Sequence, residues 1–176
     1  MSNAKPDIEI TFQLNTESNR QALLNLKKHA NLGDKIDVIY IYSIINETIK
    51  YPKKAGNIVY IGEAGRKKST GTRFSQHIST EKDKGGDTGT NYTLSYLYWS
   101  GKKLNLKIHL LDSRNNSKAR KSIERQLLQA HMKNYGSHPI AQDSSGESYR
   151  VSILENIEIP SVLEDIVNAQ QIRRDQ

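Results

Sequence analysis

Arg73 and His77 stand four residues apart in Arg73-Phe74-Ser75-Gln76-His77. A helix there would carry both on one face, where both can meet a single phosphate. Arginine brings a planar, permanently charged fork that matches phosphate oxygens. Glu124 follows Ile123 and stands one turn before Leu127 and Leu128, at the border of an apolar stripe from which a carboxylate can turn into a cleft. A single carboxylate is the least that anchors Mg²⁺, a hard ion that keeps most of its waters and takes a substrate oxygen as another ligand. Tyr40, Tyr42 and Tyr60 lie in apolar stretches, and a tyrosine hydroxyl can orient a water, or act as base where nearby cations lower its pKa. Together these side chains meet the needs of phosphodiester cleavage: an activated water, neutralisation of the developing charge, and help for the leaving oxygen. Each also has a plain structural use: a solvent-facing glutamate, an arginine paired with an acid, a surface histidine, tyrosines as cross-strand packing.

The elements that would position them follow from periodicity. Ile8, Ile10, Phe12 and Leu14 alternate as a half-buried strand, and Thr16 or Ser18 can cap a helix through Ala22, Leu23, Leu26 and Ala30 that Gly33 stops. Residues 36–45 are almost all β-branched or aromatic and predict a buried strand. A loop over 46–56, with Pro52, Gly56 and three lysines, leads to a second strand, Ile58 to Ile61, closed by Gly62. Thr70 or Thr72 can cap a helix from Arg73 to about Ser79. Residues 93–100 fit helix or strand, and Leu104, Leu106, Ile108 and Leu110 mark a third strand. Ser117 opens a helix to about Asn134, ended by Gly136 and Pro139. Near the end, Tyr149 to Ile153 suggests a short strand, and Ser161 can cap a last helix through Ile166.

The fold expected is an α/β domain of the α+β type, with a small, mainly antiparallel three-stranded central sheet flanked by helices. The core would span residues 36–142, with a strand-helix extension over 1–35 and a C-terminal extension over 143–176.

Composition narrows the chemistry. The chain has 176 residues and no cysteine, so disulfides, thiolate zinc sites and cysteine nucleophiles are excluded together. Its longest apolar run, Ile36 to Ile45, is interrupted by Asp37 and is too short to span a bilayer, and Met1 to Pro6 is polar, so a soluble, cytoplasmic protein is expected. The net charge of +7 favours polyanions. Two basic clusters, Arg66-Lys67-Lys68 and Lys118, Arg120 and Lys121, flank the candidate residues as contacts for a phosphate backbone. There is no P-loop sequence, no zinc-spaced histidine pair and no nucleophile elbow.

The order of these pieces resembles the GIY-YIG endonucleases, over roughly residues 36–142. The YIG half is literal in Val59-Tyr60-Ile61-Gly62-Glu63-Ala64, the R-x-x-x-H element is intact from Arg73 to His77, and Ser122-Ile123-Glu124-Arg125-Gln126-Leu127 looks like the family's I-E-R-x stretch. No glycine precedes a tyrosine in Val38-Ile39-Tyr40-Ile41-Tyr42-Ser43-Ile44, so two registers compete. Tyr42 is the preferred GIY tyrosine and Tyr40 the alternative base; both share one strand face. The resemblance implies a Mg²⁺- or Mn²⁺-dependent endonuclease acting on DNA, with RNA not excluded, of restriction or repair type. It implies that Glu124 holds one metal ion, Tyr42 acts as general base or water positioner, Arg73 stabilises the transition state, and Tyr60 and His77 bond the water or phosphate. Gln142 stands where the family often has an asparagine. The rival expectation, supported by the missing glycine, is a nucleic-acid-binding module that kept the fold without cutting.

Overall fold

The computed structural model describes residues 8–12, 17–79, 89–143 and 163. In chain order these form strand β1 (Ile8–Phe12), helix α1 (Glu17–Asn25), two short 3₁₀ turns, β2 (Ile36–Ile44), β3 (Ile49–Lys50), β4 (Ala55–Gly56) and β5 (Ile58–Ala64). A 3₁₀ segment, Thr70–Gln76, then leads to α2 (Tyr92–Trp99), β6 (Leu104–Arg114) and α3 (Ser117–Tyr135). The ambiguous stretch near residue 93 is therefore helical. The strand expected at 149–153 and the helix at 161–166 lie outside the described residues, except for Leu163, which is helical and buried.

The sheet is antiparallel throughout, in the order β1-β6-β2-β5. It has four strands where three were expected, because β1 pairs with β6 from Ile8↔Ile108 to Phe12↔Leu104. The loop between β2 and β5 carries its own small ladder, β3 on β4.

Alternation along β2 sorts its side chains into two cores. Ile39 and Ile41 pack with Ile61 under Ile123, Leu127 and Leu128 of α3, and Leu163 joins them. Val38, Tyr40, Tyr42 and Ile44 face the other way, against residues of α1, the 3₁₀ segment and α2. A bulge lies opposite Tyr42 and Ser43, since Tyr42 pairs with Tyr60 but Ser43 with Ile58. Val59 is the extra residue, so it and Tyr60 both reach the tyrosine-bearing core.

The segment expected as an α-helix near Arg73 is a 3₁₀ helix instead. Gly71 lies so close to the Leu26 carbonyl that a Cβ there would collide with it. Side chains also compete for the local backbone: Thr70 Oγ1 donates to Ile36 O at 2.7 Å and accepts from Arg66 N at 3.1 Å, and Ser75 Oγ donates to Thr72 O at 2.8 Å. From behind, buried Arg20 of α1 donates to the carbonyls of Ile78 at 3.0 Å and Ser75 at 3.2 Å. The helix that precedes the core thus braces the turn that carries Arg73 and His77.

Edge strand β5 is covered. Ala141 N donates to Val59 O at 2.8 Å, Ile61 N to Gln142 Oε1 at 3.3 Å, and Tyr51 Oη to Ile58 O at 2.5 Å. Among the described residues, no helix is long and apolar enough to cross a membrane.

Candidate active site

Tyr40, Tyr42, Tyr60, Arg73 and His77 converge on the face of the sheet opposite α3. Gly62 makes their approach possible, because Tyr40 lies directly across from it on β2. A Cβ at Gly62 would stand 2.5 Å from Tyr40 Cζ and Oη and 2.7 Å from Tyr60 Cε1. With only hydrogen there, the Tyr40 ring settles over the strand and stacks on Tyr60, centroids 5.8 Å apart and planes 21° off parallel. Phe74 meets the same ring edge-on at 5.0 Å.

The polar atoms form a chain. Tyr42 Oη lies 3.0 Å from His77 Nδ1, and Tyr40 Oη lies 3.3 Å from His77 Nε2. Arg73 Nε donates to Tyr40 Oη at 3.4 Å, and Arg73 also bonds Tyr60. The Tyr40 and Tyr60 hydroxyls also share a hydrogen bond. Burial, joined by the charges of Arg73 and Arg66, holds the His77 pKa well below its usual value, so the ring is neutral. A neutral imidazole has one N–H. One ring nitrogen therefore donates to its tyrosine and the other accepts, so His77 links the Tyr40 and Tyr42 hydroxyls in either tautomer.

Tyr40 and Tyr42 are fully buried, and Tyr60 is 7 % exposed. Burial raises all three hydroxyl pKa values; Arg73 opposes this at each position without cancelling it. Arg73 meets Tyr40 directly, whereas Tyr42 is bonded to the far nitrogen of His77. Tyr42 was the preferred GIY tyrosine and Tyr40 the alternative; the hydroxyl that meets Arg73 is that of Tyr40. The two have the same strand parity, so only the strand pairing separates them.

Glu124 is buried on α3, the helix that covers β5 and β2 from the opposite face. Its charge raises the Tyr60 pKa, behind the larger effect of burial, so the carboxylate acts on the same hydroxyl that ends the chain. Edge strand β5 lies between them. Among the described residues, no group of three or more histidine, aspartate or glutamate side chains is placed to hold a metal ion. A hard ion at Glu124 would have one described carboxylate to bind and would need water or phosphate oxygens for its remaining positions.

Arg66 is half-buried beside Arg73; burial and then the charge of Arg73 lower its pKa. Arg66 Nη1 donates to Gln76 Oε1 at 3.0 Å, a partner the sequence reading missed. Among the described residues, no carboxylate forms an ion pair with Arg66 or Arg73. Glu63 offsets part of the Arg66 charge, and the two neighbouring guanidiniums together keep a net positive charge that suits an anion.

Of the remaining basic residues, Lys67, Lys68 and Lys118 are exposed and Lys121 is half-buried. Arg120 is not a surface contact. It is 6 % exposed, ion-paired with Asp37, and held by Glu63 Oε2 at 2.5 Å. Burial works against its charge, but Glu63 and Asp37 outweigh that and raise its pKa. Asp37 is fully buried and also accepts from Asn116 N at 2.8 Å. A carboxylate inside an apolar strand needs a cation partner, and that was the legible signal for this clamp. Gln142 spends its side-chain oxygen on the edge of β5.

Compared with family models, with curated proteins and with solved structures, the chain matches none. The geometry therefore stands by itself.

Proposed function

We propose that this protein is a Mg²⁺- or Mn²⁺-dependent endonuclease of the GIY-YIG type that hydrolyses phosphodiester bonds of DNA. The observation that carries the reading is the meeting of Arg73, unpaired with any described carboxylate, with the hydroxyls of Tyr40 and Tyr60, while Glu124 acts on Tyr60 from α3. Arg73, seconded by Arg66, binds the scissile phosphate and stabilises its extra charge in the transition state. Tyr40 is the positioning hydroxyl next to Arg73, and Tyr60 is the group that reaches the water or phosphate. His77 and Tyr42 hold Tyr40 in place from behind. A metal ion at Glu124 would neutralise charge on the phosphate and ease ionisation of the attacking water. Lys67, Lys68, Lys118 and Lys121 supply sequence-independent contacts to the backbone, and binding weakens as salt rises.

One observation favours a second reading, a nucleic-acid-binding module that does not cut. Burial keeps all three tyrosine hydroxyls protonated, which makes each a poor resting base. Plasmid nicking separates the two. The nuclease reading expects nicking with Mg²⁺, none with EDTA, and none from Glu124→Gln, whose DNA affinity stays that of the wild type. DNA binding without any metal-dependent nicking would leave the binding module as the function.

A further inference from the structure

Six of the described tyrosines are buried, at positions 40, 42, 51, 60, 98 and 135. Two are not: Tyr92 and Tyr96 are each 71 % exposed. They stand four residues apart on α2 and share its outer face. Scattered exposed hydrophobics are ordinary, but these two form a pair on a helix tied directly to the candidate site. Asn91 caps α2 by accepting from Leu94 N at 2.9 Å, and its own N–H donates to His77 O at 3.0 Å. Two residues earlier, Gly89 lies against the arginine; a Cβ there would stand 3.3 Å from Arg73 Nη1. Three residues of chain from Gly89 to Tyr92 span at most ~11 Å, and one more helical turn to Tyr96 adds ~6 Å. At a rise of ~3.4 Å per nucleotide, that keeps the tyrosine backbone within about five nucleotides of the guanidinium.

We propose that Tyr92 and Tyr96 form a stacking platform for unpaired bases of the strand whose phosphate sits at Arg73. The substrate then carries a single-stranded or unpaired stretch beside the cut. This rests on the nucleic-acid reading above and narrows its substrate class. The occupant follows from charge and ring chemistry. α2 itself, Tyr-Thr-Leu-Ser-Tyr-Leu-Tyr-Trp, carries no charge that would repel a polyanion. The neighbouring Arg66 and Arg73 form no direct ion pair among the described residues; Glu63 offsets part of their charge, and the rest attracts a polyanion. Every base offers a π-face to a tyrosine ring, but paired duplex hides those faces within its own stack, so only unpaired bases can lie on the platform.

The test uses the full chain in EDTA, with fluorescence anisotropy of two probes: a fluorescein-labelled oligothymidylate and a blunt duplex of the same length. The proteins are the wild type, the double variant Tyr92→Ala/Tyr96→Ala and the double variant Tyr92→Phe/Tyr96→Phe. Both positions are at the surface, so the fold should survive, and a melting curve checks it. The alanine pair should weaken oligothymidylate binding by ~5-fold or more per stacked base, leave duplex binding unchanged, and be matched by near-wild-type behaviour of the phenylalanine pair. Equal loss on both probes, or no loss on either, overturns the platform alone. So does a wild type that self-associates through this face, with the alanine pair monomeric and its DNA binding intact. A wild type that binds neither probe overturns the nucleic-acid reading and the platform with it.

Discussion

Replacing Arg120 by methionine distinguishes a structural clamp from a nucleic-acid contact. The side chain is 6 % exposed and joins Asp37 at the start of β2 to Glu63 near the end of β5. Methionine fills much of the volume but takes the guanidinium away from Asp37, which is fully buried and keeps the Asn116 N–H at 2.8 Å. Removing one partner from a buried ion pair typically costs about 3–5 kcal/mol, because the other charge is stranded. For a chain of this size that corresponds to a melting point lower by roughly 6–20 °C. Urea unfolding measures the loss directly. Adding Asp37→Asn and Glu63→Gln to the same chain should recover most of it, since the buried charges leave together. In parallel, DNA binding of the folded Arg120→Met protein, read well below its melting point, should fall no more than stability explains and keep the wild-type salt slope. If stability held while the affinity dropped and the salt slope flattened by about one charge, Arg120 would be a phosphate contact and the clamp reasoning would fail.

Tyr40→Phe should slow single-turnover nicking by roughly 10–100-fold, the worth of a hydrogen bond to a charged group, and Tyr42→Phe by clearly less, because Arg73 bonds Tyr40; the reverse ranking would return the central role to Tyr42. Gly62→Ala drives a methyl into Tyr40 and Tyr60, so it should cost about 1–3 kcal/mol in urea unfolding and most of the nicking rate; an alanine variant of wild-type rate would mean that the ring stack does not position the site. His77 is buried neutral with a depressed pKa. Its linkage contribution is therefore intact above the unfolded value near 6.5 and is lost as pH falls below it, because the unfolded chain takes up the proton first. Melting temperatures between pH 7 and 5 should fall in the wild type, by at most ~1.4 kcal/mol per pH unit from this group, and less steeply in His77→Gln; identical slopes would refute the assignment.

The strands β2, β5 and β6 and the helix α3 were legible because their patterns are local: unbroken β-branched runs, strict alternation, and a long apolar stripe closed by Gly136. The place of β1 was not. Pairing Ile8 with Ile108 joins residues a hundred apart, and nothing in the alternation of Ile8, Ile10 and Phe12 names its partner. The 3₁₀ form of Thr70–Gln76 was hidden for a similar reason, since it depends on Gly71 meeting the Leu26 carbonyl. Of the candidate site, the residue types were readable and their hydrogen-bond order was not. Tyr40 and Tyr42 share a parity, and the choice between them turns on which one lies across from Gly62. Counting charges put Arg120 at the surface; pairing it with Asp37, the one acid within the apolar stretch of β2, would have put it inside.

The chain of Tyr42, His77 and Tyr40 leaves the cleft with charge of one sign. His77 is held neutral and burial keeps the three tyrosine hydroxyls protonated, so none of these four adds a charge to the wall. What remains is the guanidinium of Arg73, which has donors and nothing to accept with. An oxygen-rich anion meets a cation and hydrogen-bond donors there, while an ammonium meets like charge. The buried rings thus do more than hold the arginine in place: by staying neutral they leave its charge to set the sign of the ligand.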